Sequence, residues 1–145
     1  MERILVIDDD ESICNNISKI LSLEGYDVDV AHTGREAIEC SEHRFYNLAL
    51  IDIRLPDMEG TKLLTRLKTT TPKMVKIILT GYPSLQNTIT AINKGVDGYL
   101  TKPVAADQLL KTIKESLLKQ SKELEFDEGK VAEYIETRLK KMNRA

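Results

Sequence analysis

Short apolar runs alternate with longer amphipathic stretches along this chain of 145 residues. The first run, Ile4-Leu5-Val6-Ile7, is continuous and rich in β-branched side chains, which is typical of a strand buried on both faces. The second, from Tyr26 to Ala31, alternates between apolar and polar residues. Together the runs predict five strands, near residues 4–7, 26–31, 48–51, 75–79 and 98–101. After each strand, leucine and isoleucine recur every three or four residues, which predicts five helices. Five such β-α units indicate an α/β fold, in which helices cover both faces of a parallel sheet.

Polar and glycine residues mark where the predicted helices begin and end. Thr33 followed by Glu36 has the spacing of a capping box, which predicts the start of the second helix. Gly25 and Gly95 stand where the first and fourth helices should end. Leucines within 63–67 predict the third helix.

The last part of the chain is charged and has an apolar spacing of its own. The alternating units end near residue 121, so we assign 1–121 to one domain and 122–145 to a helical tail or linker. The fifth helix should run on to about residue 124 and break at 126–129, with Asp127 capping a further helix. That helix would carry Val131, Ile135, Leu139 and Met142 on one stripe. A stripe this short needs cover, from its own domain or from a second chain, unless the segment is a linker to a further domain.

Composition narrows the classes of function. The formal net charge is −2, with 21 basic and 23 acidic residues, so the chain lacks the electrostatic footprint of a nucleic-acid binder. No apolar run approaches the roughly 18 residues that cross a bilayer. Two cysteines, Cys14 and Cys40, cannot form a disulfide framework. We therefore expect a cytoplasmic location, with no direct contact with nucleic acid or membrane.

Polar residues that suit phosphoryl chemistry follow four of the predicted strands. Asp8 and Asp9 follow the first strand, Asp52 the third, Thr80 the fourth and Lys102 the fifth. In open α/β sheets, ligands bind outside the carboxyl ends of the strands, which meet at one edge. Clustered carboxylates repel one another and call for a cation, and hard oxygen ligands suit Mg²⁺. A hydroxyl and a fixed positive charge beside such a cation favour a pocket where an aspartate is phosphorylated directly.

Each of these residues alone also has a structural interpretation. An aspartate after a strand often caps the next helix, and Asp10 is expected to do so. A lone threonine or lysine is more often structural or solvated. Only their joint occurrence at successive strand ends favours a functional site.

These residues and their neighbours resemble the receiver domains of two-component response regulators, the CheY-like superfamily. The motifs are Asp8-Asp9, Leu50-Ile51-Asp52, Leu55-Pro56-Asp57 with Gly60, Leu79-Thr80-Gly81 and Tyr99-Leu100-Thr101-Lys102-Pro103. The match covers about residues 2–120, and its motifs are specific in combination. The resemblance implies a doubly wound, flavodoxin-like sheet of five parallel strands in the order 2-1-3-4-5, here with an extra C-terminal helical tail.

The resemblance also implies a metal site and a phosphoacceptor. Asp52 would accept the phosphoryl group. Asp9, Asp52 and the backbone carbonyl of Arg54 would bind Mg²⁺ directly, with Asp8 acting through water. Lys102 would contact the phosphoryl oxygens, and its bond to Pro103 is expected to be cis.

Two further residues of the motif would convert phosphorylation into a change of surface. Thr80 would contact the phosphoryl oxygens, and Tyr99 matches the switch aromatic that turns inward when Thr80 moves. Arg54 and Tyr82 stand two residues after the acceptor and the threonine, at positions that tune how fast the phosphoryl group is lost to water.

The function that follows is that of a signalling switch. The protein would take a phosphoryl group from a sensor histidine kinase or phosphotransfer protein and act on a downstream effector protein. Its chemistry would be confined to its own aspartate, so it would not be an enzyme on an outside substrate. A homodimer through the helix 4–strand 5–helix 5 face or through the tail is a further expectation. About 25 residues follow the domain, too few for a helix-turn-helix, which leaves a stand-alone receiver or a fragment of a larger regulator.

Two other classes share parts of the pattern. An Mg²⁺-dependent phosphatase or phosphotransferase with an aspartyl nucleophile would place a second acid at the position of Arg54 and would need a cap domain. A flavodoxin-like cofactor binder would need a Ser/Thr/Gly-rich phosphate loop after the first strand, where this chain has three aspartates.

Overall fold

In the computed structural model, which describes residues 1–143, five parallel strands form one sheet in the order β2-β1-β3-β4-β5. The elements are β1 Arg3–Ile7, α1 Glu11–Leu23, β2 Asp27–Ala31, α2 Gly34–His43, β3 Leu48–Ile51, α3 Gly60–Leu63, β4 Val75–Thr80, α4 Leu85–Asn93, β5 Gly98–Thr101 and α5 Ala106–Asn143. The predicted fold class and strand order are confirmed. The last two positions of the predicted tail, 144–145, lie outside the described residues.

Successive residues of each central strand serve two separate cores. On β1, Leu5 and Ile7 pack with side chains from α2, α3 and α4, whereas Ile4 and Val6 pack with side chains from α1 and α5. This alternation follows from the pleat, which points neighbouring side chains to opposite faces. Because both faces of the sheet are covered, the central strands β1 and β3 contain continuous apolar runs.

The predicted caps of α1 and α2, and the glycine that follows α1, act as expected. Asp10 accepts a hydrogen bond from the amide of Ile13 at 3.1 Å, so it caps α1. Thr33 accepts from the amide of Glu36 at 3.0 Å and caps α2. Gly25 follows α1 with a φ of +95°, a left-handed conformation that glycine adopts without steric cost.

Helix α3 is shorter than its leucines suggest. It ends at Leu63, although Leu64 and Leu67 are buried. Beyond Leu63 the chain forms a tighter turn, in which the amide of Arg66 donates to the carbonyl of Leu63 at 2.9 Å. The amide of Lys68 donates to the hydroxyl of Ser41 at 3.2 Å instead of to a carbonyl of the helix. Such bonds compete with the helical pattern.

Helix α5 is longer than predicted, and the expected break at 126–129 is wrong. The helix continues without interruption to Asn143, so Asp127 lies inside it and caps nothing. A glycine within a helix costs only about 1 kcal/mol relative to alanine, and Gly129 has good helix formers on both sides. All residues from 125 to 142 are exposed, so the expectation that this segment folds back onto its own domain is also wrong.

A buried glutamine fixes the place where α5 leaves the domain. Gln120 is 7% exposed, and its amide nitrogen donates to the carbonyls of Asn47 at 2.9 Å and Lys73 at 2.8 Å. These two residues precede β3 and β4, so they lie at the amino ends of the strands. The projecting part of α5 therefore starts at the amino edge of the sheet.

Two further findings complete the fold. The Lys102–Pro103 bond is cis, as the resemblance implies, and the Thr71–Pro72 bond is cis as well.

Across residues 1–143, every helix is too short or too polar to cross a membrane.

Candidate functional site

The carboxyl edge of the sheet brings together the polar residues that follow the strands. Ile7 pairs with Ile51 in neighbouring strands β1 and β3, so the next residues along the chain, Asp8 and Asp52, meet at this edge. Thr80 pairs with Thr101 at the ends of β4 and β5. Lys102, the residue after β5, therefore reaches the same edge.

Three aspartates form the acidic part of the site. One carboxylate oxygen from each of Asp8, Asp9 and Asp52 lies within 4.8 Å of the others. Asp8 and Asp52 are only 4% and 5% exposed, whereas Asp9 is open to solvent. One oxygen of Asp52, Oδ1, is buried with no hydrogen-bond partner among residues 1–143. Because an unpaired buried carboxylate oxygen is costly, this arrangement fits a cation at the open side of the cluster.

Lys102 provides the positive charge. Its Nζ donates to Asp8 at 2.5 Å and to Asp52 at 3.2 Å. Burial alone would lower the pKa of Lys102, but the hydrogen bond to Asp8 and the charge of Asp52 outweigh it and raise the pKa above its usual value. Lys102 therefore stays charged and holds both carboxylates in place.

Thr80 and Tyr99 lie on adjacent strands. Thr80 is fully buried, and its hydroxyl accepts a hydrogen bond from the amide of Tyr82 at 3.1 Å. Tyr99 pairs with Ile78 in the sheet, and its ring packs against the core. Its hydroxyl is buried and has no hydrogen-bond partner among the described residues. The ring of Tyr99 therefore already points into the domain in this structure.

Arg54, in the loop after β3, packs against an aromatic ring of the loop after β4. Its side chain is exposed, and its guanidinium carbon is 4.0 Å from the centroid of the Tyr82 ring. This cation–π contact connects the loops that follow β3 and β4. Arg54 and Tyr82 were both singled out from the sequence, but their contact was not predicted.

The loop after β3 turns back so that Gly60 packs closely against the backbone of Asp52 and Ile53. The amide of Gly60 donates to the carbonyl of Ile53 at 2.6 Å. A Cβ at this position would overlap the backbone carbonyl of Asp52, so the close approach requires glycine. Farther along the same loop, Asp57 accepts hydrogen bonds from the amides of Gly34 and Arg35, and these bonds lower its pKa.

Two residues that were not assigned to the site from the sequence lie next to it. Nδ1 of His32 is 3.0 Å from the backbone carbonyl of Asp8, and Cys14 donates to the same oxygen at 3.3 Å. The sheet order explains the first contact, because His32 follows β2 and β2 is the neighbour of β1. Burial, together with the charge of Asp8, raises the pKa of Cys14 to about 11, so this thiol stays protonated at neutral pH.

With this fold and this set of residues described, comparison with known proteins identifies the family. A family model described as the response regulator receiver domain matches residues 4–114. The chain belongs to the response regulator receiver family. The comparisons give no support to the phosphatase or phosphotransferase alternative.

Individual proteins agree with this assignment. The transcriptional regulatory protein TrcR of Mycobacterium tuberculosis is 33% identical over 123 residues, which is 85% of this chain and 48% of TrcR. This chain thus spans about half the length of that relative. A CheY-like receiver domain protein from Methanospirillum hungatei has a crystal structure that is 48% identical, with a TM-score of 0.81 over 85% of this chain and 98% of that one.

A third similar protein has been solved with its acceptor modified. It is a response regulator from Burkholderia pseudomallei, described with a phosphorylated aspartic acid, a calcium ion and citrate. It is 28% identical to this chain, with a TM-score of 0.74, and the match covers 85% of this chain and 72% of that one.

Proposed function

We propose that this protein is a phosphorylation-dependent signalling switch in which Asp52 accepts a phosphoryl group from a phosphohistidine on a sensor kinase or phosphotransfer protein. One observation carries the proposal: Asp52 has a buried, unpartnered carboxylate oxygen beside two other carboxylates and a charged lysine. In the proposed step, an Asp52 oxygen attacks phosphorus, the phosphorus–nitrogen bond breaks, and the electron pair leaves with the histidine nitrogen. An acyl phosphate on Asp52 results, and attack by water on its phosphorus regenerates the carboxylate.

The acidic cluster fits a divalent cation. Asp9, Asp52 and the backbone carbonyl of Arg54 would hold Mg²⁺, with Asp8 acting through water. When bound, the ion would neutralise charge on the phosphoryl oxygens. The Burkholderia structure, which carries a calcium ion together with a phosphorylated aspartate, supports this assignment by similarity.

Lys102, Thr80 and Tyr99 would complete the switch. Lys102 already contacts Asp52, so it is placed to bind a phosphoryl oxygen on that residue. The hydroxyl of Thr80 would give up its bond from Tyr82 to bind another oxygen. Tyr99, whose ring already points into the domain, would be the switch aromatic that responds when Thr80 moves.

The remaining assignments follow from this role. Residues 1–121 would be the receiver and 122–145 a helical tail. Partners would be a histidine kinase or phosphotransfer protein and a downstream effector, in the cytoplasm, with no enzymatic action on an outside substrate. The exposed α4 residues Leu85, Ile89 and Ile92 make the α4–β5–α5 face one candidate surface for an effector or a second copy.

Intact-mass spectrometry tests the phosphoacceptor. With Mg²⁺ and acetyl phosphate, the wild-type chain should gain the mass of one phosphoryl group, and hydroxylamine should remove it. Asp52→Asn should abolish the gain, whereas Asp57→Asn, an exposed aspartate of the same loop, should keep it. Undiminished labelling of the Asp52→Asn chain would refute the assignment.

A further inference from the structure

The apolar face of α5 continues beyond the receiver without cover. Within the domain this face is buried against the sheet. On the projecting part, Val131, Ile135 and Met142 are 58%, 51% and 71% exposed. Single exposed apolar residues are ordinary, but a row at helical spacing on a projecting helix is a surface for another element.

The row has the spacing of a two-helix seam. Its positions, separated alternately by three and four residues, are Ser121, Leu124, Glu128, Val131, Ile135, Arg138 and Met142. Leu139, which the predicted stripe also includes, is 52% exposed and flanks Arg138. Helices that pair along such a row place these side chains in the interface. Glu128 and Arg138 are the charged members, and within residues 1–143 neither forms a salt bridge.

The two charges distinguish between the possible directions of a second helix. In a parallel pair, Glu128 would face its own copy and Arg138 would face its own copy, and like charges in an interface are unfavourable. In an antiparallel pair centred near Glu133, positions equally distant from the centre face each other. Val131 then faces Ile135, and Glu128 faces Arg138, each five residues from the centre.

The flanking positions agree with the antiparallel arrangement. Leu124 and Met142, each nine residues from the centre, face each other at the ends of the seam. Beside the seam, where facing side chains are slightly offset along the axis, Asp127 comes near Lys141 of the second copy, which adds a second pair of opposite charges. At 1.5 Å per residue, the overlap from 124 to 142 is about 28 Å long.

We infer that the projecting part of α5 is a homodimerisation arm, which pairs antiparallel with the same segment of a second copy of this chain. Each dimer contains the Glu128–Arg138 ion pair twice, once in each direction. The two receivers lie at opposite ends of the paired arms. This inference rests on the tail alone and is independent of phosphorylation at Asp52.

Charge reversal tests both the surface and the direction. Sedimentation equilibrium of the full chain should reveal a monomer–dimer equilibrium in the wild type. Glu128→Arg and Arg138→Glu should each raise the dimer dissociation constant about tenfold or more, because each creates two like-charge pairs. The double variant Glu128→Arg/Arg138→Glu should return it to within about threefold of the wild-type value. The two residues are about 15 Å apart along one helix, so the rescue must come from contact between chains.

Matched controls change the same charges on the opposite side of the arm. Glu133→Arg and Lys140→Glu should leave the dissociation constant within about twofold of wild type. Circular dichroism should show equal helix content in all variants. Leu85→Glu, on the exposed face of α4, should leave the dimer intact.

Several outcomes would overturn the inference. If the full chain is a monomer at every concentration, the arm does not form an interface between two copies of the chain. A dimer that tolerates both single reversals, or one that the double variant fails to rescue, excludes the antiparallel pairing. A dimer that only Leu85→Glu disrupts places the interface on the α4 face instead.

Discussion

The acidic edge of the sheet buries charged side chains, whereas the projecting part of α5 exposes apolar ones. Both regions reverse the usual distribution of side chains between interior and surface. At the edge, Asp8 and Asp52 carry charge at 4% and 5% exposure. On the arm, Val131 and Ile135 are more than half exposed. Buried charges and exposed apolar rows are the informative departures in a soluble protein. The first region suits small charged ligands, and the second suits another apolar helix.

The largest expected effect is at Lys102, which holds the buried charges together. Lys102→Met should destabilise the metal-free protein by about 3 kcal/mol, because it leaves two buried carboxylates without their cation. Urea unfolding at neutral pH measures the change. Mg²⁺ should restore part of the loss if it binds the same carboxylates. A loss below about 1 kcal/mol would mean that the buried charges do not depend on Lys102.

A control and a pH series sharpen this test. Lys114→Met removes an exposed lysine that pairs with Glu24 at 3.0 Å, and should change the stability far less than Lys102→Met does. Because the pKa of Lys102 is raised in the folded state, its stabilisation is complete below the ordinary value of 10.5 and is lost as pH rises through the raised value. The difference between wild type and Lys102→Met should therefore be constant up to about pH 10 and should shrink above it.

Two glycines give opposite results in the two regions. Gly60→Ala should cost about 1–3 kcal/mol, because a Cβ there would overlap the backbone of Asp52. Gly129→Ala should instead favour the helical arm by up to about 1 kcal/mol, since nothing lies within 4 Å of its Cβ position. Urea unfolding and circular dichroism measure the two changes. Equal effects of the two substitutions would contradict the close approach at Gly60.

A smaller effect is expected at Asp9, the exposed member of the cluster. Asp9→Ala should raise the stability of the metal-free protein by about 1 kcal/mol, through relief of like-charge repulsion, and should remove most of the Mg²⁺-dependent rise in Tm. Thermal melts with and without Mg²⁺ test both parts. Asp10→Ala is the control, because it removes only the helix cap, which costs about 1 kcal/mol, and should keep the response to Mg²⁺.

The smallest effect is expected at the Arg54–Tyr82 contact. Tyr82→Ala removes the ring that Arg54 packs against. A displaced Arg54 would shield a phosphoryl group on Asp52 less well from an attacking water. An exposed cation–π contact contributes about 0.5–1 kcal/mol, so loss of the phosphoryl group from Asp52 should become about two- to fivefold faster. The decay of the phosphorylated mass with time measures this rate. Tyr134→Ala, on the arm, should leave the rate unchanged.

The sheet could be predicted from the sequence because apolar runs are local signals of buried strands. The residues that follow parallel strands must meet at one edge, so the clustering of polar residues there could be predicted as well. Asp8, Asp52 and Lys102 do meet at that edge, and the direct contacts of Lys102 with both aspartates were not predicted. The contact of His32 with the carbonyl of Asp8 was missed, although strand order alone brings the ends of β1 and β2 together.

The errors have a common physical cause. The ends of α3 and α5 depend on what the backbone meets elsewhere, and composition does not reveal this. After α3, the amide of Lys68 donates to the hydroxyl of Ser41, which lies in α2. At Gly129, the cost of one glycine is too small to stop a helix that is already anchored by its buried first half.

The two hydrogen bonds made by Gln120 have a consequence for signalling. They fix the start of the arm at the amino edge of the sheet, so the arm and Asp52 occupy opposite ends of the domain. The two sites can communicate only through the body between them, as a coupling free energy. Such coupling is reciprocal: any factor by which phosphorylation strengthens the pairing of arms is also the factor by which pairing favours the phosphorylated state.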